Sequence, residues 1–136
     1  MREPIYEIKG VKLDELEREY GLQIWFYNMV QKSIEELTLG DVGRMLRQDV
    51  FLDIAIPLAW KYMLAEPFDA AMYEGELIVA MTGVVKKYPD MKNFDLYERF
   101  VKKVQEQIEK YDWGCEENKV AYKKEFEEFC AVMETR

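Results

Sequence analysis

The sequence predicts an all-α fold: one compact domain of about six or seven helices packed around an apolar helix near residues 54–65. Three observations lead there. Apolar residues recur at three- and four-residue spacing in stretch after stretch, and no segment beyond the first ten residues alternates with period two. The stretches are separated by short glycine, proline, Asp or Asn breaks, without repeats or low-complexity tracts. Finally, Ile54, Ala55, Ile56, Leu58, Ala59, Trp60, Met63 and Leu64 cover almost the whole circumference of a helix, leaving only Lys61 and Tyr62 to offer polar atoms. A helix apolar on nearly all sides belongs inside a bundle. At roughly 11 residues it is too short to span a bilayer, which takes about 20.

Residues 1–10 read as an N-terminal arm that Ile5, Tyr6 and Ile8 could dock, since Pro4 discourages an early helix. Lys12 to Tyr20 reads as a short helix closed by Gly21 in a left-handed cap. From Leu22 to Ile34, the residues Leu22, Trp25, Phe26, Met29 and Val30 share one helical face. Thr38-Leu-Gly-Asp41 has capping-box spacing with Asp as the fourth residue, and Leu39, Val42, Met45 and Leu46 give the following helix its buried stripe. Asp53 is a plausible N-cap for the apolar helix, which places Pro57 in or near its first turn. Pro67 ends that helix by restricting Glu66.

A loop bearing Asp69 and Tyr73 leads into Glu74-Gly75-Glu76, whose acids suit the positive end of a new helix. That helix runs from Glu76 to Lys87 and buries Leu77, Ile78, Met81, Val84 and Val85. Tyr88-Pro89-Asp90 breaks it, and Asn93 or Asp95 caps the next, with Tyr97, Phe100, Val101, Val104, Ile108 and Tyr111 as its stripe. After a turn at Asp112-Trp113-Gly114, the last helix spans about Glu117 to Glu134 and buries Tyr122, Phe126, Phe129, Cys130 and Met133.

Composition narrows the function. With 136 residues the domain 1–136 is large enough to build a core without staples, and 49% apolar against 34% charged residues is a globular balance. The net charge of −8 argues against direct nucleic-acid binding, which needs a basic footprint. There is no histidine, so His-based triads, the usual zinc sites and histidine acid–base catalysis are excluded. Cys115 and Cys130 read as two reduced thiols in a cytoplasmic protein rather than a disulfide scaffold. The first ten residues hold no apolar run, so neither a signal peptide nor a membrane anchor is expected. Acid pairs such as Glu15/Glu17, Glu74/Glu76 and Glu127/Glu128 read as solvated helix faces, and no glycine loop cradles phosphate. Arg44, Arg47 and Lys61 read either as a small basic spot or as ion-pair partners of Asp41, Asp49 and Asp53. No catalytic residue, metal site or cofactor is expected.

An ordered series along the middle of the chain is more specific than any one motif. It comprises Thr38, Leu39 and Asp41; Gln48; Ile56-Pro57-Leu58-Ala59; Glu66-Pro67; and Tyr73-Glu74-Gly75-Glu76-Leu77. Together with Lys12-Leu13-Asp14-Glu15-Leu16-Glu17 upstream, this series resembles the immunity proteins of contact-dependent growth inhibition, small bacterial antitoxins. The likeness covers about half the chain and does not extend beyond Thr82. It departs where Tyr20-Gly21 stands for the usual Trp-Gly and Glu76 for the commoner Asp.

The resemblance implies a non-enzymatic helical protein that forms a heterodimer with the C-terminal toxin domain of a cognate effector. Such toxins are often nucleases, commonly directed at transfer RNA, and an acidic inhibitor suits a basic nuclease surface. Asp69, Tyr73, Glu74 and Glu76 are the candidate toxin-binding residues. Tyr73, Glu74 and Glu76 fit two roles equally, capping a helix or touching the toxin. The competing expectation is a cytosolic helical adaptor that binds another protein, with no toxin involved.

Overall fold

The computed structural model describes residues 2–69 and 73–135, so residues 70–72 and both end residues of the expected domain lie outside the description. The Thr38 capping box forms as its spacing requires. Thr38 Oγ1 accepts from the Asp41 N–H at 3.1 Å, and Asp41 Oδ2 accepts from the Thr38 N–H at 3.1 Å. Two donors that a helix start would leave unpaired are thereby satisfied. From this cap runs α3 (Leu39–Arg47), preceded by α1 (Ile5–Lys9) and α2 (Gly21–Val30) and followed by α4 (Leu52–Ala65), α5 (Glu76–Lys87), α6 (Phe94–Gln107) and α7 (Glu116–Glu134). Short 3₁₀ turns stand at Leu13–Glu15, Ile34–Glu36 and Pro89–Met91. The all-α expectation holds: among the described residues there are seven α-helices and no strand, only an isolated bridge between Pro4 and Ser33.

The buried residues form one continuous hydrophobic cluster. The helix α4 lies in its midst against α3, α5 and α6, while α5 packs on α3, α4 and α7, so these two helices share the centre. In α5 the expected Leu77, Ile78, Met81, Val84 and Val85 are all buried. The apolar circumference of α4 is not fully enclosed, because Asp53, Pro57, Lys61 and Ala65 form an exposed stripe at four-residue spacing. This stripe explains how the helix tolerates proline. The lost hydrogen bond would have engaged the Asp53 carbonyl, which lies on the wet edge.

Several local expectations are corrected. Residues 5–9 of the expected arm are helical, with Ile5 fully buried and its N–H bonded to the Lys32 carbonyl at 2.9 Å. Pro4 does not prevent this helix but stands just before it, where a proline suits the start. Lys12–Tyr20 is not a helix: after the turn at Leu13–Glu15 the chain is extended at Leu16. With only Leu13 and Leu16 to bury and acids at Glu15 and Glu19 four residues apart, a helix there gains too little packing to offset nucleation. Gly21 is no C-cap but the first residue of α2, whose start is closed by Gln23 Oε1 accepting from the N–H groups of Glu19 and Tyr20 at 3.0 and 3.1 Å. The helix α2 also ends early, at Val30.

The N-terminus of α4 differs too. Phe51 is its cap, in the left-handed region at φ 45°, and Asp49 is left-handed at φ 55°. Asp53 therefore sits inside the first turn and pairs with Lys9, and Pro57 falls in the second turn. A left-handed non-glycine residue costs roughly 1–2 kcal/mol. Packing of the Phe51 ring on Phe26 at 5.9 Å, under the Lys9 ammonium at 5.4 Å, holds it there.

The ion pairs expected around Arg44, Arg47 and Lys61 are also partnered differently. Asp41 pairs with Lys32, Asp49 with Lys87 and Asp53 with Lys9, while Arg47 approaches Glu76 and Arg44 lies over the Trp25 ring at 5.2 Å.

Candidate functional site

The stretch 66–76 connects α4 to α5 and carries all four candidate contact residues. Pro67 ends α4 at Glu66, which takes up a non-helical conformation as a residue before proline should. The loop is pinned at its first turn. Tyr122 of α7 donates its hydroxyl to the Pro67 carbonyl at 3.2 Å, and Phe68 is buried with its ring 4.8 Å from Tyr111, 4.8 Å from Trp113 and 5.0 Å from Tyr122. Trp113 is itself held by its indole N–H on the Ile108 carbonyl at 2.9 Å. This aromatic block forms a rigid floor under the loop.

At the far end, Gly75 stands at φ 91° as the cap of α5, and a Cβ there would lie 3.3 Å from the Tyr122 ring. Left-handed geometry and close approach both require glycine. Gly75→Ala is expected to lower unfolding free energy by about 2 kcal/mol or more in urea titrations, combining the left-handed penalty with displacement of a buried ring. A change below about 0.5 kcal/mol would show that the loop can relax away from α7.

The structure separates the four candidates. Asp69 is exposed, its N–H bonded to the Glu66 carbonyl at 3.1 Å. Tyr73 is 49% exposed. Glu74 is half-buried and accepts from the Tyr111 hydroxyl at 3.4 Å. Glu76 is turned inward: it is 3% exposed, and its Oε1 lies 3.8 Å from an Arg47 guanidinium nitrogen beside Gly43 of α3. A carboxylate in that position ties α5 to α3. Of the four, Asp69 and Tyr73 are exposed and Glu74 is half-buried, while Glu76 is enclosed at the start of α5.

Around Tyr111 the structure adds residues that the sequence reading placed elsewhere. The Tyr111 hydroxyl is held against ionisation first by burial and then by the charge and hydrogen bond of Glu74 and the charges of Asp69 and Asp112. Three acids thus surround one partly exposed tyrosine. In the sequence, Tyr111 reads as the end of a core stripe and Asp112 as a turn residue; the only signal was the acid adjoining an aromatic turn. Such a face can accept lysine or arginine side chains through carboxylates and tyrosine rings. Among the described residues no group of three or more His, Cys, Asp or Glu could hold a metal ion, and no helix is long and apolar enough to cross a membrane. Cys115 and Cys130 are free thiols.

A second polar cluster underlies the capped start of α3. Asp41 accepts from the Trp25 indole N–H at 3.0 Å and from the Lys32 ammonium at 2.7 Å, besides the Thr38 N–H. Burial would raise its pKa, but the Lys32, Thr38 and Trp25 hydrogen bonds outweigh it and keep the carboxyl below its usual range. This node joins α2 to α3.

A family model, described as CDI immunity proteins, matches residues 7–98, which include the Asp41 cluster and the Asp69–Glu74 side of the acidic one. The chain belongs to this family. The match covers about two thirds of the chain, more than the half seen in the motif series, and runs past Thr82 into the first turn of α6. No curated protein and no solved structure matches. In this CDI immunity protein the matched region holds the Asp41 node, the proline-bearing α4 and the whole stretch 66–76. Tyr111, Asp112, Trp113 and Tyr122, which support and enlarge the acidic face, lie beyond it.

Proposed function

We propose that this CDI immunity protein acts in the cytoplasm, binding the C-terminal toxin domain of its cognate effector one to one and neutralising it without turnover. The observation that carries this reading is the family match over residues 7–98. The toxin is read as a nuclease, with transfer RNA the expected substrate class, because a chain of net charge −8 suits a partner that is basic around a nucleic-acid site. The contact is assigned to the face made by Asp69, Tyr73 and Glu74 with Tyr111 and Asp112, where carboxylates and tyrosine rings converge. Tyrosines on a rigid floor are efficient anchors, since they add contact area at little cost in side-chain entropy.

The test co-expresses the protein with the toxin domain encoded immediately upstream and counts surviving cells. Survival, with no protection from an unrelated toxin domain, is the expected result. Cell death despite folded protein, with no complex from the purified pair, would overturn the reading and leave a cytosolic adaptor in its place. Association should also slow steeply with salt, because steering between exposed charges is screened within about 8 Å at physiological ionic strength. Stopped-flow rates that stay flat from low to high salt would remove electrostatic steering. Charge reversal at Asp69 and Glu74 is expected to weaken binding while the protein still folds, as circular dichroism would check.

A further inference from the structure

Away from the acidic face, a groove of about 400 Å³ opens between α2 and the extended chain that follows the Leu13–Glu15 turn. Its floor is apolar, made by Leu16, Leu22, Trp25 and Phe26, and Glu15 and Glu17 stand on its wall. Leu22, at 42% exposed, forms an uncovered apolar lip on the first turn of α2, while Trp25 and Phe26 are only half-buried. Among the described residues no lysine or arginine lines the groove, and Arg44 is taken up on the Trp25 ring. The groove is built on firm supports: the Trp25 indole is tied to Asp41, the Phe26 ring rests on Phe51, and Gln23 holds Glu17 at 3.2 Å.

We infer that this groove seats a segment of the toxin domain that presents an apolar side chain flanked by lysine or arginine. It would be a second contact area, sharing no residue with the Asp69–Glu74 face. The inference rests on the immunity reading for the identity of the partner. Charge selects the occupant. An apolar trough with two exposed acids on its wall, of which Glu15 is met by Lys12 only at 3.8 Å, favours a basic amphipathic segment, the arrangement in which an apolar anchor fills the floor and cations meet the rim. A second copy of this chain would bring net charge −8 against −8 and is disfavoured. A floor that includes a half-buried tryptophan has the composition in which binding energy concentrates.

The experiment titrates ¹⁵N-labelled protein with the toxin domain encoded immediately upstream and follows the indole N–H signals of Trp25, Trp60 and Trp113, together with the amides of α2. Trp25 reports the groove and Trp113 the acidic face. In parallel, affinity is measured for the double variant Glu15→Lys, Leu22→Gln, whose two sites are exposed and whose fold is checked by thermal melting. The expected result is a shift of Trp25 and the Leu22 and Gln23 amides on binding, and at least about a tenfold weakening in the folded variant. If the toxin domain binds the wild-type protein while the groove signals stay still and the variant keeps full affinity, the groove inference is overturned and the immunity reading stands. If the wild-type protein forms no complex, both fall.

Discussion

Trp60→Ala is expected to lower unfolding free energy by about 3–5 kcal/mol, the range for truncating a large buried aromatic. Trp60 is 2% exposed, with its ring edge-on to Phe100 at 6.3 Å and tilted against Phe129 at 6.0 Å. Those two rings meet each other edge-to-face at 6.0 Å, so one side chain of α4 joins α6 to α7. Removing it leaves a void between three helices whose rigid neighbours cannot close it fully. A domain of this size has about 5–15 kcal/mol in total, so the variant should lose protein in cells as well as in urea titrations. Trp60→Phe should cost distinctly less. It keeps an aromatic ring in the same cluster and removes an indole N–H that finds no acceptor among the described residues. A loss below about 1 kcal/mol for the alanine variant with the fold intact would show that the cluster does not bear on α4 as described.

Asp41→Ala is expected to cost about 2–4 kcal/mol, because it strands the Trp25 indole, the Lys32 ammonium and the Thr38 N–H at once and removes the reciprocal half of the α3 capping box. The carboxylate also makes stability depend on pH. Its pKa in the folded protein lies below the ordinary aspartate value of 3.8, so its contribution is fully present above that value and is lost as pH falls through the folded one. The wild-type melting temperature should therefore fall below about pH 4, and Asp41→Asn should flatten that fall. Some slope will remain, because hydrogen bonds also lower the carboxyls of Glu36, Asp49, Asp53 and Glu109. An Asp41→Asn variant with an unchanged acid slope would show that Lys32 does not hold the charge in solution.

Some stretches read more clearly from sequence than others, and the reason is local. The Thr38–Asp41 box, the glycine before Glu76 and the stop at Pro67 are short-range devices whose effect depends on residues three or four positions away. The same is true of the stripes on α5 and α6, where Leu77, Ile78, Met81, Val84 and Val85, or Tyr97, Phe100 and Val104, bury as their spacing demands. Lys12–Tyr20 misleads because its apolar spacing suggests a helix while its two leucines bury too little to stabilise one. Asp53 misleads because any Asp before an apolar run resembles a cap. The packing of Phe51 on Phe26 instead moves the helix start to Leu52.

Sequence by itself determined the fold class, the order and approximate limits of α3 to α7, and the motif series that points to the family. These follow from helical periodicity and from hydrogen bonds between neighbours in the chain. Only the tertiary structure decided which acids are exposed and which are enclosed. Glu74 and Glu76 are two residues apart and chemically alike, yet one lies beside Tyr111 near the surface and the other is enclosed against Arg47. Tyr111 and Asp112 join Asp69 because the start of α7 and the turn before it fold back under the loop through Phe68 and Tyr122. The groove beside Trp25 exists because a segment that fails to become a helix leaves Leu22 uncovered. Exposure of a side chain is set by atoms that arrive from distant parts of the chain, and no local pattern encodes which ones will come.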